Sequence, residues 1–420
     1  MRRYSVVLCL VPFICSGQTP KDVRAVAKQG QIAVPKVAEY LNSASVDTRI
    51  ETVKQLTALG GKETIDPLIR ATRDVDPEMQ ILATDGLVNY YLPGYVKVGL
   101  GSTLVRAGLS IKSKFSDAND QIIDAFVIVR PEVIAALGQL ARGGSSLDSR
   151  ANACRAIGIL RGRAALPDLI EALRSKDNNV MYESLAAIEK IADPSAGPRI
   201  TYLLRDLDDR VQMTAIETAG TLRSTDALPA LRSIVNTPRN IKSQRAALGA
   251  IAMMPEMRDR ELFLRELDAK DEKLRAAAAE GLARISNPAD KAALEKLWRD
   301  EEKMAPRLAA AFGLVMEGNL DLSEQSPFQY LIYTLSSAAY HEVAFAYLVE
   351  AARQQSVLRA LYQPLEQGSR EEKIYLSRVL ALSGDAGSVK YLENISRDTD
   401  PEAAKEGLRA LRSLRARLGI

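Results

Sequence analysis

"VMYESLAAIE" (180–189) and "VQMTAIETAG" (211–220) stand 31 residues apart and share one pattern. A small residue falls four positions into each stretch (Ser184, Ala215), another falls at seven (Ala187, Thr218), and an aliphatic residue follows at eight. Offsets of 4, 7 and 8 lie on one face of a helix. The same frame begins at Ser149, Lys242, Leu274 and Met304, and towards the N-terminus at Thr48 and Met79. Going outward from Ser149 the steps are 31, 31, 31, 32 and 30 residues. Small residues on that face let neighbouring helices approach closely, so it is expected to pack against the next copy of itself.

Each frame is preceded by a start signal. Asp76, Asp177, Asp208 and Asp271 lie three residues upstream, where an aspartate accepts backbone N–H bonds as an N-cap. In "DPE" (76–78, and again 400–402) proline takes the first helical position and glutamate the first turn. A second helix then opens at Pro35, Pro67, Pro131, Pro167, Pro198 or Pro229, with aliphatic residues two and three positions on. A pair of such helices cannot bury its apolar face alone, and stacking pairs builds one continuous core. The reading is all-α: an α-solenoid of antiparallel helix pairs with a period of about 31 residues.

These features resemble the HEAT-like repeats of the phycobilisome-lyase type, in "DNNVMYESLAAIEKIADPSAGPRITYLL" (177–204) and "DDRVQMTAIETAGTLRSTDALPALRSIV" (208–235). The resemblance implies a gripping surface. Members of that superfamily range from bilin lyases to plain scaffolds, and nothing in this sequence supports tetrapyrrole chemistry.

The N-terminus reads as an export signal: Arg2 and Arg3, then the apolar run "VVLCLVPFIC" (6–15), then "SGQTP". Ten apolar residues are too few to span a bilayer. Cleavage is expected near Gly17–Gln18. The mature chain would then be periplasmic or extracellular, with no integral span. It would keep Cys154 alone and so have no internal disulfide.

The pattern breaks twice. The frames at Met79 and Ser149 are 70 residues apart, with one further unit expected at Asn119–Ala141. "GYVKVGLGSTLVRAGLSIKSKF" (94–115) fills the rest, glycine-rich and, from Gly86 to Ser116, without an acidic residue. It reads as a hairpin or loop, and loops that depart from a scaffold often carry recognition. Tyr91, Tyr95, Lys97, Arg106, Lys112, Lys114 and Phe115 are the candidate partner-binding residues. The competing reading makes these aromatics an anchor that plugs the groove. After Gly318 a polar linker leads to aromatic-richer helices closed by an arginine-rich one, Arg409, Arg412, Arg415 and Arg417. The expected segments are a signal (1–17), N-terminal repeats (18–87), the insertion (88–118), central repeats (119–318) and C-terminal repeats with a cap (319–420).

Chemistry finds little purchase. His341 is the sole histidine, and its pairing with Glu342 is one where HEAT-like di-iron hydroxylases need several. There is no HExxH, cysteine cluster or GxSxG. No metal, cofactor or catalytic residue is therefore expected. Formal charge is +3, too balanced to announce a nucleic-acid binder. The expectation is an exported, non-enzymatic scaffold that binds a protein partner through its groove, the insertion, or both. The alternative is an envelope-polymer hydrolase or sensor using groove carboxylates, since paired acids leave no local signature.

Overall fold

The computed structural model describes residues 19–98, 104–106 and 121–420. The chain is an α-solenoid of helix pairs with one short hairpin among the described residues. It divides into two compact units, Met1–Asp120 with Ala135–Ala156, and Gln121–Ile134 with Ile157–Ile420.

In the first unit, α1 (Pro20–Ala27) and α2 (Val34–Glu39) lead to the pair α3 (Val46–Leu59) and α4 (Ile65–Ala71). Next come α5 (Pro77–Tyr91) and the hairpin β1 (Val96–Val98) and β2 (Leu104–Arg106), antiparallel with Val96 opposite Arg106. α6 (Pro131–Gly143) and α7 (Leu147–Ile159) follow. α7 lies directly on α5: the Asn152 amide donates to Asp85 at 3.1 Å, and Ser145 donates to Gln80 at 2.9 Å. Among the described residues no first helix stands between them. The unit expected at Asn119–Ala141 therefore supplies only α6, because residues 121–130 are not helical. Val127, Ile128 and Val129 are β-branched and Arg130 precedes a proline, and both features disfavour helix. The insertion thus falls between α5 and α6, and residues 121–130 that lead into α6 are not helical.

The second unit is more regular. Its first helices are α9 (Asn178–Ile191), α11 (Asp209–Thr221), α13 (Ile241–Met253), α15 (Glu272–Ile285) and α17 (Met304–Met316). Its second helices are α8 (Leu166–Ala172), α10 (Gly197–Ile200), α12 (Leu228–Asn236), α14 (Arg260–Glu266) and α16 (Lys291–Asp300). Asp177, Asp208 and Asp271 cap as expected, accepting from the backbone of Val180, Val211 and Leu274 at 2.9, 3.0 and 3.2 Å. The small face packs as expected too: Ser184, Ala215 and Ala278 are wholly buried. Gly220 lies so close to α13 that a β-carbon would stand 3.0 Å from Ala250 Cα. Arg161, Ala192, Arg223 and Ser286 end α7, α9, α11 and α15 in the left-handed conformation, with φ of 49, 53, 51 and 53°.

Two frames shift. α13 is capped by Asn240, which accepts from Ser243 at 2.9 Å, so its frame starts at Ser243 and not Lys242. Ala247 and Ala250 are accordingly buried, whereas Ala246 is half-buried and a β-carbon at Gly249 would meet nothing within 4 Å. α17 begins after Lys303, which moves its close-packed pair to Ala310 and Gly313; a β-carbon on Gly313 would stand 2.8 Å from Leu294.

Helix pairing continues through α18 (Pro327–Thr334), α19 (His341–Ala351), α20 (Gln355–Ala360), α21 (Tyr362–Gln367), α22 (Arg370–Ser383), α23 (Val389–Ile395) and α24 (Pro401–Leu418). α18 packs on α17, α19 on α22, and α24 on both α22 and α23. In α24, Arg417 donates to the carbonyls of Ala381 and Gly384, the C-terminal end of α22, where a cation meets the negative end of the helix dipole.

Candidate functional site

Arginine–carboxylate pairs link successive repeats of the second unit in two rows. Arg163–Asp193, Arg232–Asp259 and Arg260–Asp290 join second-helix segments at 2.6, 2.7 and 2.6 Å. Arg245–Asp271 and Arg275–Glu301, the latter at 2.7 Å, join first helices to the caps that follow. Hydrogen bonds from Ser195 and Arg163 hold the Asp193 carboxyl below its usual range, and Arg245 does the same for Asp271. These acids are committed to the stack.

A different polar cluster lies where α19 crosses the ends of α11, α13 and α15. Arg284, in the last turn of α15, is 8% exposed and binds the Glu350 carboxylate with two forked N–H groups, Nε at 2.9 Å and Nη2 at 2.8 Å. Its Nη1 donates to Glu280 and to the Ala252 carbonyl, each at 3.0 Å. The Tyr347 hydroxyl donates to Glu280 at 2.6 Å, and its ring stacks on Phe312 at 4.7 Å. Arg223, just beyond α11, donates to Glu350 at 3.3 Å. Burial is the largest influence on Glu350 and opposes its charge, yet Arg284, Arg223 and Arg353 together hold its carboxyl below the usual glutamate range. Burial, then the Glu280 carboxylate, pushes the Tyr347 phenol well up. Burial disfavours the Arg284 charge, but Glu350 and Glu280 outweigh it and hold the guanidinium more firmly protonated. Such a closed network fixes a helix rather than moving protons.

Beside the network opens a cleft of about 650 Å³ walled by Met253, Val343, Ala346, Val349 and Leu382. The other rim of the unit closes through Arg409 of α24, which binds Asp124 at 2.5 Å, while the Ile123 N–H donates to Ile159 at 3.0 Å. The arm leaving the insertion is thereby tied to both α7 and α24. None of this was visible as a local motif. Glu350 meets partners 66 and 127 residues away, and no spacing rule reaches that far.

The residues singled out by sequence are brought together only in part. Tyr91 is half-buried and meets Tyr90 edge-on at 4.8 Å. Tyr95, just before β1, is 3% exposed. Lys97 and Arg106 lie on β1 and β2, opposite Val105 and Val96. Lys112, Lys114 and Phe115 lie outside the described residues. His341 sits between the Ser337 carbonyl, 2.8 Å from Nδ1, and Glu342, 3.1 Å from Nε2. Among the described residues no three histidine, cysteine or acidic side chains gather as a metal site, and no helix is long and apolar enough to cross a membrane.

Residues 134–206 match the HEAT repeats family. Over that span the chain is built of HEAT-like repeats. Its repeats are also similar in sequence to the phycocyanobilin lyase subunit alpha of Nostoc sp. (strain PCC 7120), 28% identical over 148 residues, which is 32% of this chain. The chain spans about half the length of that curated relative (54%). The structure of the CpcE–CpcF complex of phycocyanin lyase from Nostoc sp. PCC7120 covers 64% of this chain and 96% of its own chain, at 21% identity and a TM-score of 0.38. Human deoxyhypusine hydroxylase in complex with glycerol covers 68% and 96%, at 16% identity and a TM-score of 0.28.

Proposed function

We propose that this HEAT-like repeat protein is an exported, non-enzymatic scaffold that binds a protein partner through its groove and the insertion after α5. The observation that carries the reading is the commitment of its acids. In repeat after repeat the carboxylates cap helices or pair with arginines of the neighbouring repeat, and Glu280 and Glu350 of the cluster around Arg284 are paired as well. A stack built this way offers shape and surface rather than an acid–base pair. The sequence 94–115, with Lys97 and Arg106 and no acidic residue, supports the insertion as the second contact element.

Export and capture are tested together. The mature protein is expected to begin near Gln18, and mass spectrometry of an intact N-terminus would overturn export. Tagged protein recovered from the envelope fraction should retain a defined partner. A variant with a Gly-Ser linker in place of residues 96–120, which keeps Tyr95, should fold and lose that partner. Equal capture by both would remove the insertion from the interface.

One observation favours the carboxylate alternative. Glu217 on α11 is exposed, yet burial by its surroundings and then the neighbouring Glu189 charge push its carboxyl above the usual range. A raised carboxyl beside a second one is the arrangement a general acid needs. Turnover of an envelope polymer that falls ~10²-fold or more in Glu217→Gln would replace the scaffold reading with hydrolysis.

A further inference from the structure

Resting on the scaffold reading, we propose that the cleft along α19 docks an acidic, aliphatic helical segment of the protein partner. The wall is apolar and open to solvent: Val343 is 37% exposed and Leu382 is 51% exposed. Val343, Ala346 and Val349 recur along α19 at the three-residue spacing that lines one helical face, and Arg353 lies just past the helix end. At ~1.5 Å per residue, Val343 to Arg353 spans about 15 Å, the reach of a three-turn helix.

Charge selects the occupant. Two of the three acids of the cleft are already engaged, and the third, Glu342, stands 72% exposed at the N-terminal end of α19. Glu280 accepts from Tyr347 on one oxygen and from Arg284 on the other. Glu350 accepts from Arg284 on both. Glu342 turns to His341 at 3.1 Å. The cations are not engaged to the same degree. The Arg353 side chain makes no hydrogen bond or ion pair with any described residue, and Arg223 spends one long N–H on Glu350 while staying 47% exposed. Around the C-terminal end of α19, away from Glu342, the hydrogen-bonding capacity left open therefore belongs to two guanidiniums, whose planar forks suit carboxylates. A segment with aliphatic residues at i, i+3 and i+7 and a glutamate or aspartate beyond them satisfies both halves of the wall.

The test uses the full mature chain and a fluorescein-labelled peptide of about 18 residues, long enough for a helix, with leucines on one face and glutamates flanking it. A second peptide carries lysine in place of glutamate. The glutamate peptide is expected to bind roughly tenfold tighter or better, with affinity falling as salt rises. Arg353→Glu and Leu382→Glu, both at exposed positions, should each weaken it by roughly tenfold without changing the melting temperature. Equal binding of both peptides, or binding untouched by the two variants, overturns the proposal. Displacement by dodecanoate of a dye that neither peptide displaces would also overturn it, in favour of a small amphiphile. A partner still captured from the envelope by Arg353→Glu at full strength would remove this cleft and leave the scaffold reading standing; no partner at all would remove the scaffold reading itself.

Discussion

The run from α9 to α15 and the crossing of α19 are built from the same residue types and are held in opposite ways. Along the run, away from its contacts with α19, polar links join neighbours: Asn178 to Asp208, Arg232 to Asp259, Arg245 to Asp271, Arg260 to Asp290. Each lies one repeat away and partly in reach of water. At the crossing, Arg284, Glu280, Tyr347 and Glu350 are packed against Phe312 and joined over 66 or more residues. A stack of near-neighbour links yields locally when one is cut. A buried network tying distant repeats yields as a unit. The first region is additive, and the second is where one substitution reaches several helices.

The sharpest way to break this contrast is Arg284→Ala. It leaves Glu350 and Glu280 buried without their cation, and breaking a buried pair costs ~3–5 kcal/mol. Hydrogen exchange should show protection lost from α19 and its neighbours but kept in α9 and α11. Uniform loss throughout would mean that the two regions are not separable.

pH sharpens the same point. The Glu350 carboxyl titrates below its unfolded value, so the stability it contributes is complete above the ordinary glutamate range (~4.3) and is lost as pH falls through the lower, folded value. Glu350→Gln should therefore melt below the parent at neutral pH and converge with it in acid. A gap that stays constant with pH would assign the effect to packing alone.

Within the regular run the effects are smaller. Ala278→Leu overfills a wholly buried contact and is expected to cost ~1–3 kcal/mol by denaturant titration. Asp208→Ala removes the side chain that accepts from Val211 at 3.0 Å and should cost ~1 kcal/mol. Both losses should stay within the neighbouring repeats. If the cap variant loosens α19 as well, the run and the crossing are one cooperative body.

Much of the fold is written locally. Asp177, Asp208 and Asp271 cap because an aspartate before an apolar-periodic run has few better partners than the free N–H groups beside it. Ala215 and Ala278 are buried because small residues at helical spacing permit close approach. The same logic slipped at Lys242 and Met304, where Asn240 and Lys303 stand in for the usual aspartate and one or two residues change the frame. It failed over residues 121–130, where an apolar run of helical length carried β-branched residues and led into proline.

What this sequence determined by itself is therefore the repeat: its period, its caps, its small face and the place where the pattern is interrupted. All of these depend on residues within about one turn or one repeat of each other, and such interactions leave a periodic trace. Only the tertiary structure decided that Arg284 meets Glu350, that Arg409 meets Asp124, and that an apolar cleft with two under-used arginines opens along α19. Those pairings depend on curvature summed over many repeats. A small rotation at each interface sets which distant side chains meet, and no single residue encodes that sum.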